Sequence, residues 1–348
     1  MNIEYICFGS LNGYAIAAKN YILALRNHNL KIHTLDSQHR IDVAGDNLSL
    51  FRKFAKKEEN PEAIQIYHCI PPMQRRRRKN KTTIGVATFE TYDPPRHWIE
   101  ILNQNDAVIV PSTFCQEIFK NAGVTQPIYL IPHCLDLSKY NSNITPKETN
   151  SKFRFLFIGA WRKRKGYEEL LKAWCSVFSN NEHVELVIKT DKPNKAERTV
   201  SKLTNNILIE HRVIKENDMP GFIKSFDCLV LPTKGEGFGL PALQAQALGV
   251  PVIVTDYSGC IDFANTDTAF LLKPERIVIK EDMDRIPQFM NRRWAEISVE
   301  QLSGVMLYVY EHPEKVKEKV RNAEQFVREG FGLDLVGAQF SRLFSQLK

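Results

Sequence analysis

Short apolar runs alternate with amphipathic segments along most of the chain. The runs "IEYICFG", "TTIGVATFE", "FRFLFIG" and "CLVLP" are rich in β-branched and aromatic residues and predict buried strands. The segments "AIAAKNYILALRNHN", "GYEELLKAWCSVFSN" and "LPALQAQALG" have helical spacing instead. Strands that alternate with helices in this way predict parallel sheets covered by helices, which is an α/β fold.

This alternation occurs twice along the chain. A polar segment without periodicity, "NSNITPKETNSK", separates the two parts. We therefore expect two Rossmann-like, doubly wound domains over residues 1–145 and 153–325, joined by a linker at 146–152. A final helical segment, residues 326–348, is expected to return to the first domain. Ligands of such sheets bind at the carboxyl ends of the strands, so we expect a cleft where the two sheets face each other.

The composition suits a soluble protein with two cores of ordinary size. The chain has 348 residues, of which 43% are hydrophobic. It contains no apolar run long enough for a membrane helix and no signal-peptide pattern at its N-terminus, so we expect a cytoplasmic location. The seven cysteines include no C-x-x-C pair, which favours reduced core thiols over disulfides or zinc ligands. The formal net charge of +7 favours an anionic partner.

Three glycine-containing turns follow predicted strands and open predicted helices. They are "GSLNGYA" after the first strand, "AWRKRKG" after "FLFIG" and "TKGEGFG" after "CLVLP". Free amides and the positive end of a helix suit a phosphate at such a turn, and the lysines and arginines of the second turn add charged donors. One such turn is weak evidence, but three in corresponding positions favour a phosphate-bearing ligand.

These motifs resemble those of the family 4 glycosyltransferases, which have the GT-B fold. The resemblance rests on "GEGFGLPALQAQALGVPVI", "FIGAWRKRKGYEELLKAW" and "VIVPSTFCQEIFKNAGV", and it covers most of the chain. It implies a retaining enzyme that uses a nucleotide-diphosphate sugar, without a metal or another cofactor. It also implies that the second domain binds this donor and that the first domain binds the acceptor.

The resemblance assigns the donor site position by position. Glu236 matches a carboxylate that bonds hydroxyls of the donor sugar, and Lys165 matches a cation of the phosphate loop. The residues expected to bind the donor are Gly13, Arg162, Arg164, Lys165, Glu236, Gly237, Phe238, Gly239, Leu240 and Gln244. We expect Glu236 and Lys165 to be catalytic. Because both lie in loops, we expect the fold to survive their replacement by alanine.

Two positions depart from the family pattern. Gln244 stands where the family has a second glutamate, which holds the ribose hydroxyls. A neutral hydrogen bond contributes about 0.5–1.5 kcal/mol and a charged one about 1.5–3 kcal/mol, so we expect weaker nucleotide affinity. Ala160 stands where an arginine is common, so Arg162 or Arg164 is expected to supply the missing cation.

The acceptor side is predicted to lie in the first domain. Glu90, in "ATFETYD", falls near the position of a family histidine at the reacting centre, and we take it as a third catalytic candidate. Glu90 and Thr91 are expected to contact the acceptor. So is the basic patch "RRRRKNK", which contains Arg75, Arg76, Arg77 and Arg78.

Such a basic patch would neutralise the phosphates of DNA or of an acidic membrane surface. We favour DNA that carries hydroxymethylated pyrimidines, as used by bacteriophage DNA glycosyltransferases. A base must leave the stack to react, and Phe89, Tyr92 and Trp98 could stack on it. The alternative acceptor is a glycolipid or polysaccharide of the cell envelope.

Other interpretations stay open. Glu236 and Glu90 could form the carboxylate pair of a glycosidase, although the phosphate-type turns argue against it. A sugar-nucleotide phosphorylase or synthase would share the fold, and a non-enzymatic nucleic-acid-binding protein would explain the basic patch. We expect structural roles for His68 and His133. Asp282 and Asp284, in "EDMDR", resemble a metal–nucleotide motif, but we expect their loop to lie far from the three glycine turns.

Overall fold

The structure is a computed structural model that describes residues 1–9, 13–35, 62–74, 81–179, 181–191 and 204–347, together with residues 193, 197 and 200. It divides into two compact units. The first comprises Met1–Asp136 and Gly330–Lys348, and the second comprises Leu137–Glu329. Each unit contains its own parallel sheet.

The first unit contains, within its described residues, a six-stranded parallel sheet in the order β2-β1-β3-β4-β5-β6. The strands are β1 (Asn2–Cys7), β2 (Asn29–Thr34), β3 (Ile64–His68), β4 (Thr83–Val86), β5 (Ala107–Val110) and β6 (Ile128–Leu130). The helices are α1 (Gly13–Ala24), α2 (Arg96–Leu102), α3 (Thr113–Asn121) and the final helix α9 (Leu333–Gln346). All described positions of β3, β4 and β5 are buried, as expected for strands covered on both faces.

The final helix α9 belongs to the core of this first unit. Its buried side chains Val336, Phe340, Leu343 and Phe344 join the apolar cluster formed by β1 and α1. Phe340 packs edge-on against Tyr21 of α1, with ring centroids 5.1 Å apart. A backbone bridge pairs Leu135 with Gly332, just before α9 begins. The chain therefore returns to the first sheet after the second unit is complete.

The second unit has a six-stranded parallel sheet, in the order β12-β11-β10-β7-β8-β9, and an antiparallel hairpin among its described residues. The sheet strands are β7 (Phe153–Ile158), β8 (Val184–Lys189), β9 (Ile207–Glu210), β10 (Cys228–Leu231), β11 (Val252–Thr255) and β12 (Phe270–Leu272). The hairpin strands are β13 (Arg276–Lys280) and β14 (Arg292–Glu296). The helices are α4 (Tyr167–Val177), α5 (Met219–Lys224), α6 (Leu240–Ala247), α7 (Val299–Glu311) and α8 (Pro313–Gly330).

The order of strands in the second sheet reverses between β7 and β10. From β7 the chain runs outward through β8 and β9, and then returns to the opposite side of β7 as β10. Ligands of open α/β sheets bind in the crevice beyond the carboxyl ends of the strands at such a reversal. The loops that follow β7 and β10 are "AWRKRKG" and "TKGEGFG".

The segment 146–152, expected to be a linker, is part of the second unit. Its backbone is bonded to that unit, because Lys147 N donates to Gly221 O and Glu148 N donates to Ser225 Oγ, both at 2.9 Å. The division of the chain lies earlier, between Asp136 and Leu137. Polarity alone does not distinguish a free linker from a surface segment that is held by backbone hydrogen bonds.

The seven cysteines are free thiols, and all except Cys175 are buried. No helix in the described part of the chain combines the length and the apolar character needed to cross a bilayer.

Candidate functional site

The loop after β7 is folded tightly against the loop after β10. It contains a short 3₁₀ turn, Lys163–Lys165, followed by Gly166 in a left-handed conformation with φ of 71°. A Cβ at Gly166 would lie 1.8 Å from the carbonyl oxygen of Pro232, so only glycine fits between the loops. Lys234 N donates to Arg164 O at 2.7 Å, which joins the two backbones directly.

Glu236 lies between two cations of the neighbouring loop. Lys165 Nζ donates to Glu236 Oε1 at 2.5 Å, and Arg164 Nη1 lies 3.5 Å from Glu236 Oε2. All three side chains are largely buried. Burial alone would raise the pKa of the Glu236 carboxyl, but the charges of Lys165 and Arg164 hold this pKa below its ordinary value. The site therefore presents an ionised carboxylate and two cations at the reversal point of the sheet.

The backbone of the "GEGFG" loop is fixed by the 3₁₀ turn Ser258–Asp262. Glu236 N donates to Ser258 Oγ at 2.9 Å, and Gly259 N donates to Glu236 O at the same distance. A Cβ at Gly259 would lie 2.2 Å from Gly237 O, so this contact requires glycine. Gly239, with φ of 103°, then turns the chain into α6. Its missing side chain leaves room for Cys260, whose sulfur would lie 2.5 Å from an added Cβ.

Three further residues predicted to bind the donor lie in α6 or directly before it. Phe238 is buried against Phe263, with ring centroids 5.2 Å apart, and Leu240 is the first residue of α6. Gln244 is buried on α6, where its Nε2 donates to the hydroxyl of Tyr140 at 3.1 Å. Tyr140 was missed by the sequence analysis. It lies directly before the polar segment that begins at Asn141, and no local pattern connects it with α6.

A second buried ion pair supports the same loops. Lys234 Nζ lies 2.7 Å from Glu169 Oε1, and both side chains are mostly buried. Glu169 is in the first turn of α4, the helix that follows the loop after β7. The pair therefore connects the loop after β10 with this helix. Sequence reasoning missed it, because Lys234 and Glu169 each resemble an ordinary surface charge.

Asp284 corrects an expectation from the sequence. It lies in the hairpin segment between β13 and β14, and its carboxylate accepts hydrogen bonds from Lys163 N at 2.5 Å and Arg164 N at 3.4 Å. The acidic loop is thus not far from the glycine turns, since the hairpin brings Asp284 onto the loop after β7. Asp282 instead accepts from Arg285 N within its own segment, at 2.8 Å.

Residues 152–285 match the family model described as glycosyl transferases group 1. The chain contains a glycosyl transferases group 1 domain. The matched segment includes both loops of the site and ends inside the hairpin, before β14. The predicted family 4 resemblance is confirmed at the level of this domain.

Relatives and solved structures agree with this domain. The capsular polysaccharide biosynthesis glycosyltransferase CapM of Staphylococcus aureus is 30% identical over 152 residues, which are 42% of this chain and 38% of CapM. A D-inositol 3-phosphate glycosyltransferase of Arthrobacter sp. (strain FB24) is 27% identical over 145 residues, 38% of this chain and 34% of that protein. The matched regions therefore span less than half the length of these two relatives.

The crystal structure of Anabaena HepE in complex with UDP and glucose resembles this chain with a TM-score of 0.72 at 13% identity. The match covers 99% of this chain and 100% of HepE. It confirms the predicted fold class, α/β of the GT-B type with two Rossmann-like domains.

The first unit contains the remaining residues that were predicted to belong to the site. Gly13 is the first residue of α1, and a Cβ there would meet no atom within 4 Å. Glu90 is half-buried, whereas Thr91 is fully buried. The four arginines of the basic patch lie outside the described residues; they are Arg75, Arg76, Arg77 and Arg78.

Two aromatic side chains proposed to stack on a base belong to the core instead. Phe89 and Trp98 are buried and pack edge-on, with ring centroids 5.2 Å apart. Tyr92 is half-buried against Phe114, at 5.4 Å. The expectation is thus wrong for Phe89 and Trp98, because apolar rings next to a buried strand are favoured in the core over a solvent-facing position.

His68 and His133 are also core residues. Their rings stack with centroids 6.0 Å apart, and His68 Nδ1 lies 2.6 Å from the hydroxyl of Tyr5. Burial lowers the pKa of both imidazoles, that of His133 to about 3. No group of three or more His, Cys, Asp or Glu residues with metal-binding geometry occurs in the part of the chain that the structure describes.

Proposed function

We propose that this chain is a glycosyltransferase that transfers a sugar from a nucleotide-diphosphate sugar to a hydroxyl group. The observation that carries the proposal is the triad of Glu236, Lys165 and Arg164 at the strand reversal of the second sheet. The two cations suit the diphosphate of such a donor. The carboxylate suits the hydroxyl groups of its sugar. The group 1 domain over residues 152–285 supports the same activity.

The chemistry needs both kinds of charge. Cleavage of the bond between sugar and diphosphate builds negative charge on the leaving oxygen, which Lys165 and Arg164 would stabilise. Arg162, an exposed residue of the same loop, would add a third cation. The backbone amides at the start of α6 would approach the diphosphate; they belong to Gly237, Phe238, Gly239 and Leu240.

Glu236 is proposed to orient the donor sugar through its hydroxyl groups. A carboxylate has about four acceptor positions, so it can keep its contact with Lys165 and still accept from a sugar. Gln244 is proposed to contact the ribose, with Tyr140 fixing the orientation of its amide. The departing phosphate oxygen can take the proton of the acceptor hydroxyl, and Glu90 is proposed to orient that hydroxyl. No protein nucleophile is then required.

For the acceptor we propose a hydroxymethylated pyrimidine in DNA. The net charge of +7 and the four consecutive arginines at 75–78 support a polyanion. The competing acceptor is a hydroxyl of an envelope glycolipid or polysaccharide. The name of the Staphylococcus aureus relative, a capsular polysaccharide biosynthesis glycosyltransferase, favours that second class.

The donor is tested by titrating the protein with UDP-, GDP-, ADP- and dTDP-sugars and following binding by calorimetry and slow hydrolysis by mass spectrometry. Lys165→Met should weaken binding of the preferred nucleotide sugar by more than about tenfold, because it removes a buried cation next to the phosphates. Lys163→Met is the matched control, since Lys163 is an exposed lysine of the same turn. A folded wild-type protein that binds and hydrolyses none of these donors contradicts the proposal.

The acceptor is tested separately. Labelled sugar is offered together with duplex DNA that contains hydroxymethylated pyrimidines, with a lipid-linked sugar, or with capsule oligosaccharides. Replacing the four arginines at 75–78 by alanine should reduce the slope of log affinity against log salt by about 0.9 for each duplex phosphate that the variant no longer neutralises. Transfer to lipid or oligosaccharide and never to DNA excludes the DNA acceptor and leaves the transferase activity in place.

A further inference from the structure

The hairpin β13–β14 contacts both loops of the candidate donor site. We propose that it braces these loops and that Asp284 is a positioning residue, which holds the turn Lys163–Lys165 in the geometry that binds the donor. The inference rests on the proposed function, since it assigns a task at the same site. Neither the family motifs nor the acidic pattern of "EDMDR" indicates this task.

The main contact is the carboxylate of Asp284 on the backbone of the loop after β7. Its two oxygens accept from the consecutive amides of Lys163 and Arg164, which begin the 3₁₀ turn. The first amides of a helical turn find no acceptor inside the turn itself, so a charged side chain that accepts from them stabilises it. The bonds fix the backbone directly before Lys165 and therefore the direction in which Lys165 and Arg164 project towards Glu236.

The conformation of the segment between β13 and β14 directs this carboxylate towards the loop after β7. Asp284 and Arg285 both have positive φ, 63° and 54°, which costs free energy for residues other than glycine. The buried side chains of Met283 and Phe289 anchor the segment on either side. Asp282 accepts from Arg285 N and closes the local turn. A strained turn between two apolar anchors aims Asp284 at the loop.

Two further contacts make the hairpin a brace for both loops. The guanidinium of Arg164 lies over the ring of Phe289, 5.6 Å from its centroid. Ala295 N, in β14, donates to Lys234 O at 3.1 Å and so holds the loop after β10. Phe289 in turn packs edge-on against the buried Trp294 of β14. The hairpin therefore contacts Arg164 through Phe289, in the segment between its strands, and Lys234 through Ala295, in β14.

This arrangement predicts which groups of the site bind the diphosphate. Because Asp284 occupies the amides of Lys163 and Arg164, those amides are not available to a phosphate. The diphosphate would then be bound by the side chains of Lys165 and Arg164 and by the amides at the start of α6. Loss of Asp284 should weaken donor binding by loosening these side chains rather than by removing a ligand contact.

The test measures nucleotide binding and local order in the full chain. Titration with UDP, GDP, ADP and CDP first identifies the nucleoside diphosphate that the wild type binds. Asp284→Ala should weaken that binding by about tenfold, which corresponds to about 1.4 kcal/mol, and Asp284→Asn should have a smaller effect because its oxygen still accepts one hydrogen bond. Glu281→Ala is the matched control, an exposed acidic residue of the same segment.

Hydrogen exchange of the Lys163 and Arg164 amides provides a readout without any nucleotide. Both amides should exchange faster in Asp284→Ala and keep their wild-type rates in Glu281→Ala. Unchanged exchange, or binding of nucleotide that stays equal or becomes tighter in Asp284→Ala, overturns the inference. If the wild type binds no nucleotide at all, the proposed function fails, and the exchange rates still decide whether Asp284 holds the loop. Should Asp284→Ala not fold, Asp284→Asn carries both measurements.

Discussion

A carboxylate as buried as Glu236 is stable in its charged form only when cations lie beside it. Lys165 and Arg164 supply them, and in return Glu236 neutralises two cations that are themselves mostly buried. At the scale of the residue, the groups proposed to bind the donor are therefore also part of what keeps the two loops together. Removing Glu236 takes away the carboxylate that both cations share, whereas removing one cation leaves Glu236 with the other.

Glu236→Ala is accordingly expected to lower the free energy of unfolding by about 3 kcal/mol, because it removes the buried carboxylate that Lys165 and Arg164 share. We still expect the fold to survive this replacement, as the sequence indicates, but with lower stability because this contact is lost. Urea denaturation followed by circular dichroism measures the effect. The double variant Glu236→Ala with Lys165→Met should regain part of the stability, and a double variant as unstable as the sum of both single variants would contradict a direct coupling.

Gln244→Glu is expected to tighten nucleotide binding by roughly fivefold to tenfold, because a charged acceptor bonds a ribose hydroxyl more strongly than an amide oxygen does. The hydroxyl of Tyr140 can rotate to donate to the new carboxylate. Calorimetry with the preferred nucleoside diphosphate measures the change. In Tyr140→Phe this donor is missing, so the gain from Gln244→Glu should shrink. Equal affinity of wild type and Gln244→Glu would mean that Gln244 does not contact the ribose.

At the scale of the element, α1 and α9 approach each other closely where small residues face. A Cβ at Gly337 of α9 would lie 2.5 Å from the carbonyl oxygen of Ala24 at the end of α1. Only a glycine allows the two backbones this distance. The approach lets Val336 and Phe340 reach the core of the first sheet.

Gly337→Ala should therefore destabilise the first unit by about 1–3 kcal/mol through overpacking, although alanine is the better helix former. Gly304→Ala provides the control. Gly304 lies within α7, and a Cβ there meets no atom within 4 Å, so alanine should stabilise that helix by up to about 1 kcal/mol. Thermal unfolding of both variants measures the difference. A stabilising Gly337→Ala would show that α9 shifts freely on α1.

At the scale of the whole molecule, two units with separate cores respond separately to their surroundings. The first unit contains the buried pair His68 and His133, whose pKa values are lowered by burial. The second unit contains the buried ion pairs around Glu236 and Lys234. The first unit also holds a buried ion pair, between Lys81 and Glu4, so the buried pair of imidazoles is what distinguishes it from the second unit.

Mild acid should destabilise the first unit. An unfolded histidine binds a proton below about pH 6.5, whereas folded His133, with a pKa of about 3, does not. The unfolded state thus binds more protons between these values, and stability falls as the pH falls, by about 1.4 kcal/mol per pH unit for each such histidine. Hydrogen exchange of β1 and β3 amides against pH measures it. His133→Gln should reduce the slope, and replacement of the exposed His97 by Gln should leave it unchanged.

The sequence by itself determined the fold class, which segments form strands and which form helices, and the two loops of the candidate donor site. Period-two and helical patterns are local, and turns such as "GEGFG" require glycine for reasons that lie in the backbone. The same local reasoning led to wrong expectations for Phe89 and Trp98, whose burial depends on the elements packed over them.

Only the tertiary structure decided which side chains meet. Strand order placed β10 beside β7 and so joined Glu236 to Lys165, which are far apart along the chain. The same packing places Tyr140 against Gln244, and the hairpin places Asp284 against the turn Lys163–Lys165. These contacts join distant segments of the chain. Their energies depend on burial and on partner charges, which no local pattern contains.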